Sequence, residues 1–151
     1  MFITLDSIKA EHLRLCNIIA QYEAQATKWD RPLEVSIPKL DKGETWAGAI
    51  ITLSRREHII LMPDVHDAAD WGAQMNWAKS IGGEMPDRVE GALLYAELKD
   101  QFEPTAYWLR ERHASDSDYA WGQDFRHGGQ YYWGTGTKLP ARVVRRIQIG
   151  A

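Results

Sequence analysis

Two interleaved series with a seven-residue step run through the start of the chain. Leu5, His12, Ile19 and Ala26 form one, and Ile8, Leu15, Tyr22 and Trp29 form the other three places later. This spacing predicts a helix over 6–28, with Asp6 or Ser7 capping its start. The stripe has two readings: it packs on the body of the same chain, or it is a seam between copies of the chain. The shortness of the run and a histidine at a seam position favour the first. Pro32, Pro38 and Gly43 then interrupt any regular pattern, so residues 1–30 read as a helical arm and 31–44 as a linker.

Beyond the linker, the runs Trp46 to Leu53 and His58 to Met62 predict a hairpin turning at Ser54-Arg55-Arg56-Glu57. A helix from Asp70 places Ala73, Trp77, Ala78 and Ile81 on one face and ends at Gly82-Gly83. A second helix opens after Pro86 with Asp87 and Glu90 spaced as a capping box. Val89, Leu93, Leu94, Leu98 and Phe102 form its apolar stripe. Short strands follow at about 106–112, 119–126, 129–134 and 141–149, with turns at 116–118 and 127–129. The order gives an α+β domain over 45–151.

Alternation assigns the strand faces. Tyr119, Trp121, Gln123 and Phe125 share one, read as core, and Trp77 and Phe102 are read as core likewise. Val143, Arg145, Ile147 and Ile149 share another, so Arg145 points with apolar residues. A buried guanidinium needs a carboxylate partner, and Asp87 or Glu90 is expected to supply it. Arg142 and Arg146 are expected on the opposite face. These roles are structural.

Charge and cysteine content narrow the function. The 151 residues carry a net charge of −3, against general nucleic-acid binding, and no apolar run is long enough to span a membrane. The segment Met1 to Asp6 has neither a basic nor a long apolar region, so no signal peptide is expected and folding in the cytoplasm is. Cys16 alone can form no intrachain disulfide and is expected to be a buried, inert thiol. Asp64, His66, Asp67 and Asp70, and also Asp116 and Asp118, are clustered oxygen and imidazole donors. Helix capping and an Asx turn account for them, so no metal and no cofactor are expected. There is no nucleophile elbow and Gly134-Thr135-Gly136 lacks the rest of a phosphate loop, so no catalytic residue is assigned.

Three blocks carry a resemblance. The first joins Trp71 to Ala78, Gly82 to Glu90 and Ala92 to Tyr95. The second joins Tyr107-Trp108 to Tyr119 through Phe125, and the third is Arg142 to Arg146. Over roughly 45–149 the chain resembles small bacteriophage and prophage proteins of unknown function, similar to the C-terminal domain of bacterial collagen-like adhesins. The resemblance implies a C-type-lectin-like domain, an antiparallel sheet with two helices, preceded here by the N-terminal helix. Calcium-dependent sugar lectins of this fold use Glu-Pro-Asn or Gln-Pro-Asp with Trp-Asn-Asp. Glu103-Pro104-Thr105 departs from the first, and the second is missing.

The late strands and their loops usually form the ligand face of such folds. Here they carry Arg110, Arg112, His113, Arg126, His127, Tyr131 and Trp133, the candidate ligand-binding residues. Mixed arginine and aromatic side chains suit a protein partner. The expected function is a phage- or prophage-encoded, non-enzymatic binding module. Its partner is a virion component or a host factor such as a defence component, and it acts in the host cytoplasm or in the virion. Carbohydrate or cell-surface recognition without calcium is the second expectation, and an enzyme acting on a small substrate is the third.

Overall fold

Hydrophobic alternation and helix caps place the elements almost where the sequence predicts them. The computed structural model describes residues 3–29 and 35–150. The chain divides into two compact units, 1–35 and 36–151. The first holds helix α1 (Leu5–Trp29). Its cap is Thr4, not Asp6 or Ser7: Thr4 Oγ1 accepts from the Ser7 amide at 3.2 Å, and the Ser7 hydroxyl donates to the Thr4 carbonyl at 2.7 Å. Cys16 is exposed rather than buried, 3.6 Å from His12 Nε2. Residues 31–34 of the expected linker lie outside the described residues.

The second unit is α+β. In order it has β1 (Thr45–Ile51), β2 (Arg56–Ala69), α2 (Trp71–Ser80), α3 (Arg88–Leu98) and a 3-10 turn (Lys99–Gln101). Strands β3 (Ala106–Arg112), β4 (Tyr119–Asp124), β5 (Gln130–Gly134) and β6 (Leu139–Gln148) complete it. They form two antiparallel sheets, ordered β1-β2-β6 and β3-β4-β5. β2 runs past Met62 to Ala69, since β6 continues to pair with it through register shifts on either side of Val65 and His66. Pro63 has no amide proton to give a ladder and lies within the first shift.

The helices start as their capping residues dictate. Asp70 Oδ1 accepts from the Ala73 amide at 2.8 Å. Asp87 and Glu90 form a full capping box, each carboxylate accepting the other residue's amide at 2.8 Å. Past the end of α2, Gly82 has a φ of +78°, the left-handed conformation that glycine adopts without strain. The apolar faces differ in detail from the expected ones. Ala73 is exposed, and Val89 is 57% exposed. α3 buries Leu94 as expected, with Glu90 and Gly91 beside it, while Leu93, Leu98 and Phe102 are partly buried.

β6 lies between two apolar clusters. Val144 packs with Ile59, Leu61, Leu94, Tyr107 and Phe125 beneath α3, with Phe102 at its margin. Val143 and Ala141 pack with Trp71, Ala78, Met85 and Trp108 beneath α2, with Trp77 at its margin. Both faces of this strand are therefore covered, and alternation cannot tell which face meets α3. The even-numbered face does, and this corrects the expected partner of Arg145. Arg146, not Arg145, reaches Glu90, through Nε at 2.6 Å and Nη2 at 2.9 Å. Arg55 reaches the same carboxylate at 2.6 Å and Asp87 at 2.7 Å. Arg142 shares the even face and is buried, donating to the carbonyls of Gln101 (2.7 Å) and Met62 (3.0 Å) above the Phe102 ring. Burial lowers the pKa of that guanidinium.

Arg145 turns the other way and pairs with Glu44, its Nη2 at 2.7 Å from Oε2. The hydrogen bonds from Arg145 hold the Glu44 carboxyl below its ordinary value of 4.5, against the opposing effect of burial. A depressed carboxylate stabilises the fold above its unfolded-state pKa and loses that contribution as pH falls through its folded-state pKa. Glu44→Gln should therefore cost about 2 kcal/mol at neutral pH, the scale of a charge-assisted pair. In urea unfolding, the gap between wild type and variant should close as the pH is lowered from 4.5. A gap that persists unchanged in acid would contradict this role.

Candidate functional site

The β3-β4-β5 sheet owes its shape to where α3 stops covering it. On one face α3 buries Tyr107, Gln123 and Phe125. Gln123 is fully buried and pairs with both the 128–129 turn and β5. Its Nε2 donates to the Gly128 carbonyl at 3.1 Å, and its Oε1 accepts from Gln130 Nε2 at 3.0 Å. The same Gln130 amide donates to the Arg88 carbonyl at 2.6 Å, while Arg88 Nε donates to Gln130 Oε1 at 3.1 Å. The first turn of α3 is thereby fastened to β5.

Past that point the face is open, which corrects the reading of Tyr119 and Trp121 as core. Trp121 is half-buried, and Tyr119 and Tyr132 are 39% and 52% exposed. Tyr132 lies directly across from Trp121 in the ladder, ring to ring at 5.4 Å and nearly perpendicular. Tyr119 meets Tyr132 edge-on at 5.8 Å. His113 lies 4.6 Å from Tyr132 and is stacked on Trp121 at 5.8 Å. The Arg88 guanidinium covers the Trp121 ring at 3.7 Å. An open groove of about 610 Å³ adjoins this cluster, lined by Arg88, Val89, Ala92, Glu111, Gln123, Gly128 and Gln130.

The opposite face carries other candidates. Tyr131 is 53% exposed and meets Trp133 edge-on at 6.0 Å. Trp133 is half-buried against the α2 cluster, and its ring lies over Gly122, where a Cβ would stand 2.8 Å from a ring carbon. A shallow depression of about 230 Å³ brings Arg126, His127 and Trp133 together with Pro104, Thr105, Ala106 and Asp124. Asp124 organises this turn, accepting from the Arg126 amide at 2.8 Å and contacting His127 Nδ1 at 3.1 Å. Burial alone would raise the pKa of Asp124, but these contacts outweigh it and hold the carboxyl low. Arg126 Nε is tied to the Pro104 carbonyl at 3.1 Å.

Arg110 and Arg112 lie elsewhere. Arg110 bonds Glu84 at 3.2 Å and Asp87 at 3.5 Å, beside a cleft of about 280 Å³ floored by Met75, Ala78 and Met85. Arg112 sits over the Trp71 ring at 4.7 Å and donates to the Ser117 carbonyl at 3.2 Å. The seven expected residues thus do not form one surface. His113 belongs to the Trp121 face, Arg126, His127, Tyr131 and Trp133 to the other, and the two arginines to intramolecular contacts. Sequence reasoning missed Arg88, Tyr119, Trp121 and Tyr132. The consecutive Tyr131-Tyr132-Trp133 was the available signal, because neighbours on a strand point to opposite faces and both must then carry aromatics. Among the described residues no three His, Cys, Asp or Glu side chains are placed to hold a metal ion. None of the described helices is long and apolar enough to cross a membrane.

No protein-family model matches the chain, and no curated protein or solved structure is significantly similar to it.

The two aromatics of the second face, half-buried Trp133 and exposed Tyr131, should separate in a stability measurement. Trp133→Ala should cost about 2 kcal/mol, less than a fully buried tryptophan, by uncovering Gly122. Tyr131→Ala should stay within about 0.5 kcal/mol. Equal effects in thermal or urea unfolding would show that Trp133 has no such packing role.

Proposed function

We propose that the chain is a phage- or prophage-encoded, non-enzymatic binding module whose C-type-lectin-like domain, residues 45–151, engages a protein partner. The observation that carries this reading is the cluster of exposed Tyr119 and Tyr132 with half-buried Trp121 and His113, Arg88 stacked on it. Tryptophan, tyrosine and arginine dominate the energetics of protein interfaces, because large rigid rings bury much area for little lost freedom. These side chains are already positioned by ring contacts and by the Arg88–Gln130 link, so little ordering remains to be done on binding. The antiparallel strands and short helices of the second unit are compatible with the lectin-like fold. The partner is a virion component or a host factor, met in the host cytoplasm or in the particle.

Calcium-independent carbohydrate recognition is the second reading, favoured by the depression where Trp133 adjoins Arg126 and His127. An enzyme acting on a small substrate is the least supported.

Affinity capture from bacterial host lysate and from purified virions, read by mass spectrometry, tests the first reading. The wild-type chain should retain a protein that Tyr132→Ser combined with Tyr119→Ser releases, with a loss of affinity of roughly 30-fold. The near-ultraviolet circular dichroism of the variant should be unchanged. Equal retention by both proteins would sink the aromatic surface as the interface. A signal confined to glycans would favour the second reading instead.

A further inference from the structure

We infer that α1 is a self-association helix whose heptad stripe closes against α1 of a second copy of this chain. The inference rests on α1 alone and does not depend on the binding reading above. The stripe is bare from Leu5 to Tyr22: Leu5, Ile8, Leu15, Ile19 and Tyr22 are 65, 55, 51, 54 and 71% exposed. Helices keep their shape in water chiefly through an apolar face packed on something.

The spacing names the occupant. A step of seven residues keeps one narrow line of side chains facing a second helix of the same pitch, and another copy carries the same line. Antiparallel pairing forms layers from Leu5 to Tyr22 in which His12 never meets His12. Leu5 of one copy meets Tyr22 of the other, Ile8 meets Ile19, and His12 meets Leu15, and each layer recurs by symmetry. Parallel pairing would set His12 against His12, unfavourable whenever the imidazoles are protonated, so the antiparallel order is the better fit. Ile18, 50% exposed at the flank, broadens the line, while Arg14, Asn17 and Gln21 lie away from it.

Area supports the same occupant. A specific interface needs roughly 1,000 Å² of buried surface over both copies, and the stripe offers five large apolar side chains each more than half exposed. The second unit offers no matching line among its described residues. Its exposed large aliphatic side chains are Ile51 and Leu53 at the β1–β2 turn and Ile37, Val65 and Val89 on three other segments.

Sedimentation equilibrium of the full chain, from nanomolar to high micromolar concentration, tests the proposal. Wild type should reach twice the chain mass. Ile8→Asp combined with Ile19→Asp should stay at the chain mass with the near-ultraviolet dichroism of the tryptophans intact. Arg14→Glu, off the seam, should still double. Wild type at the chain mass throughout, or the double variant at the wild-type mass, would overturn it. So would loss of the tryptophan signal in the double variant, which would assign the stripe to the chain's own body. A larger multiple of the chain mass would rule out the pair. In a Cys16→Ser background, Ile8→Cys with Ile19→Cys should crosslink on oxidation and Ile8→Cys alone should not. A crosslink formed by Ile8→Cys alone, or none formed by the pair, would overturn the antiparallel order.

Discussion

A carboxylate with no solvent contact must be neutralised where it sits, and Glu90 is such a group. It is fully buried, yet it receives hydrogen bonds from Arg55, from two nitrogens of Arg146 and from the Asp87 amide. Desolvating an unpaired charge costs several kcal/mol, so a buried carboxylate is tolerable only with this many donors around it. The guanidiniums come from the β1–β2 turn and from β6, far apart in sequence. The amide comes from the first turn of α3. Arg110 and Glu84 extend the network, with Arg110 on Asp87 and Arg146 on Glu84. The start of α3 is thus fixed against the β1-β2-β6 sheet by charge rather than by apolar packing alone.

That placement decides what the other sheet can present. Arg88, two residues before Glu90, is the residue that covers Trp121 and links to Gln130. One helical turn therefore joins both sheets: its buried side grips β6, and its exposed side finishes the aromatic surface of β4 and β5. The cluster of Tyr119, Trp121, Tyr132 and His113 is left open because α3 runs away from it over Gln123 and Phe125. The proposed interface and the buried ionic network are two ends of the same turn.

The sequence revealed features set by neighbours along the chain. The capping box at Asp87 and Glu90, the cap at Asp70 and the stop at Gly82 are decided within a few residues, and each forms as its spacing implies. Strand alternation also found nearly every element of the second unit. What it could not find depended on contacts between distant segments. β6 is buried on both faces, so its pattern did not say whether Arg145 or Arg146 meets α3. β4 changes from covered to open partway along, so grouping Trp121 with Phe125 as core failed at the point where the helix ends. The Glu44–Arg145 pair spans most of the chain and leaves no local trace.

The central claim is that Glu90 and Arg146 act as a coupled pair, Arg146 supplying two of the donors without which the buried carboxylate is not tolerated. A double-mutant cycle on urea unfolding, with Glu90→Gln and Arg146→Met made singly and together, measures this directly. Strong coupling, of at least about 1.5 kcal/mol, is the expected outcome, with the double variant less destabilised than the sum of the single changes. Additive losses would contradict the account, since they would mean that the buried carboxylate does not depend on this guanidinium.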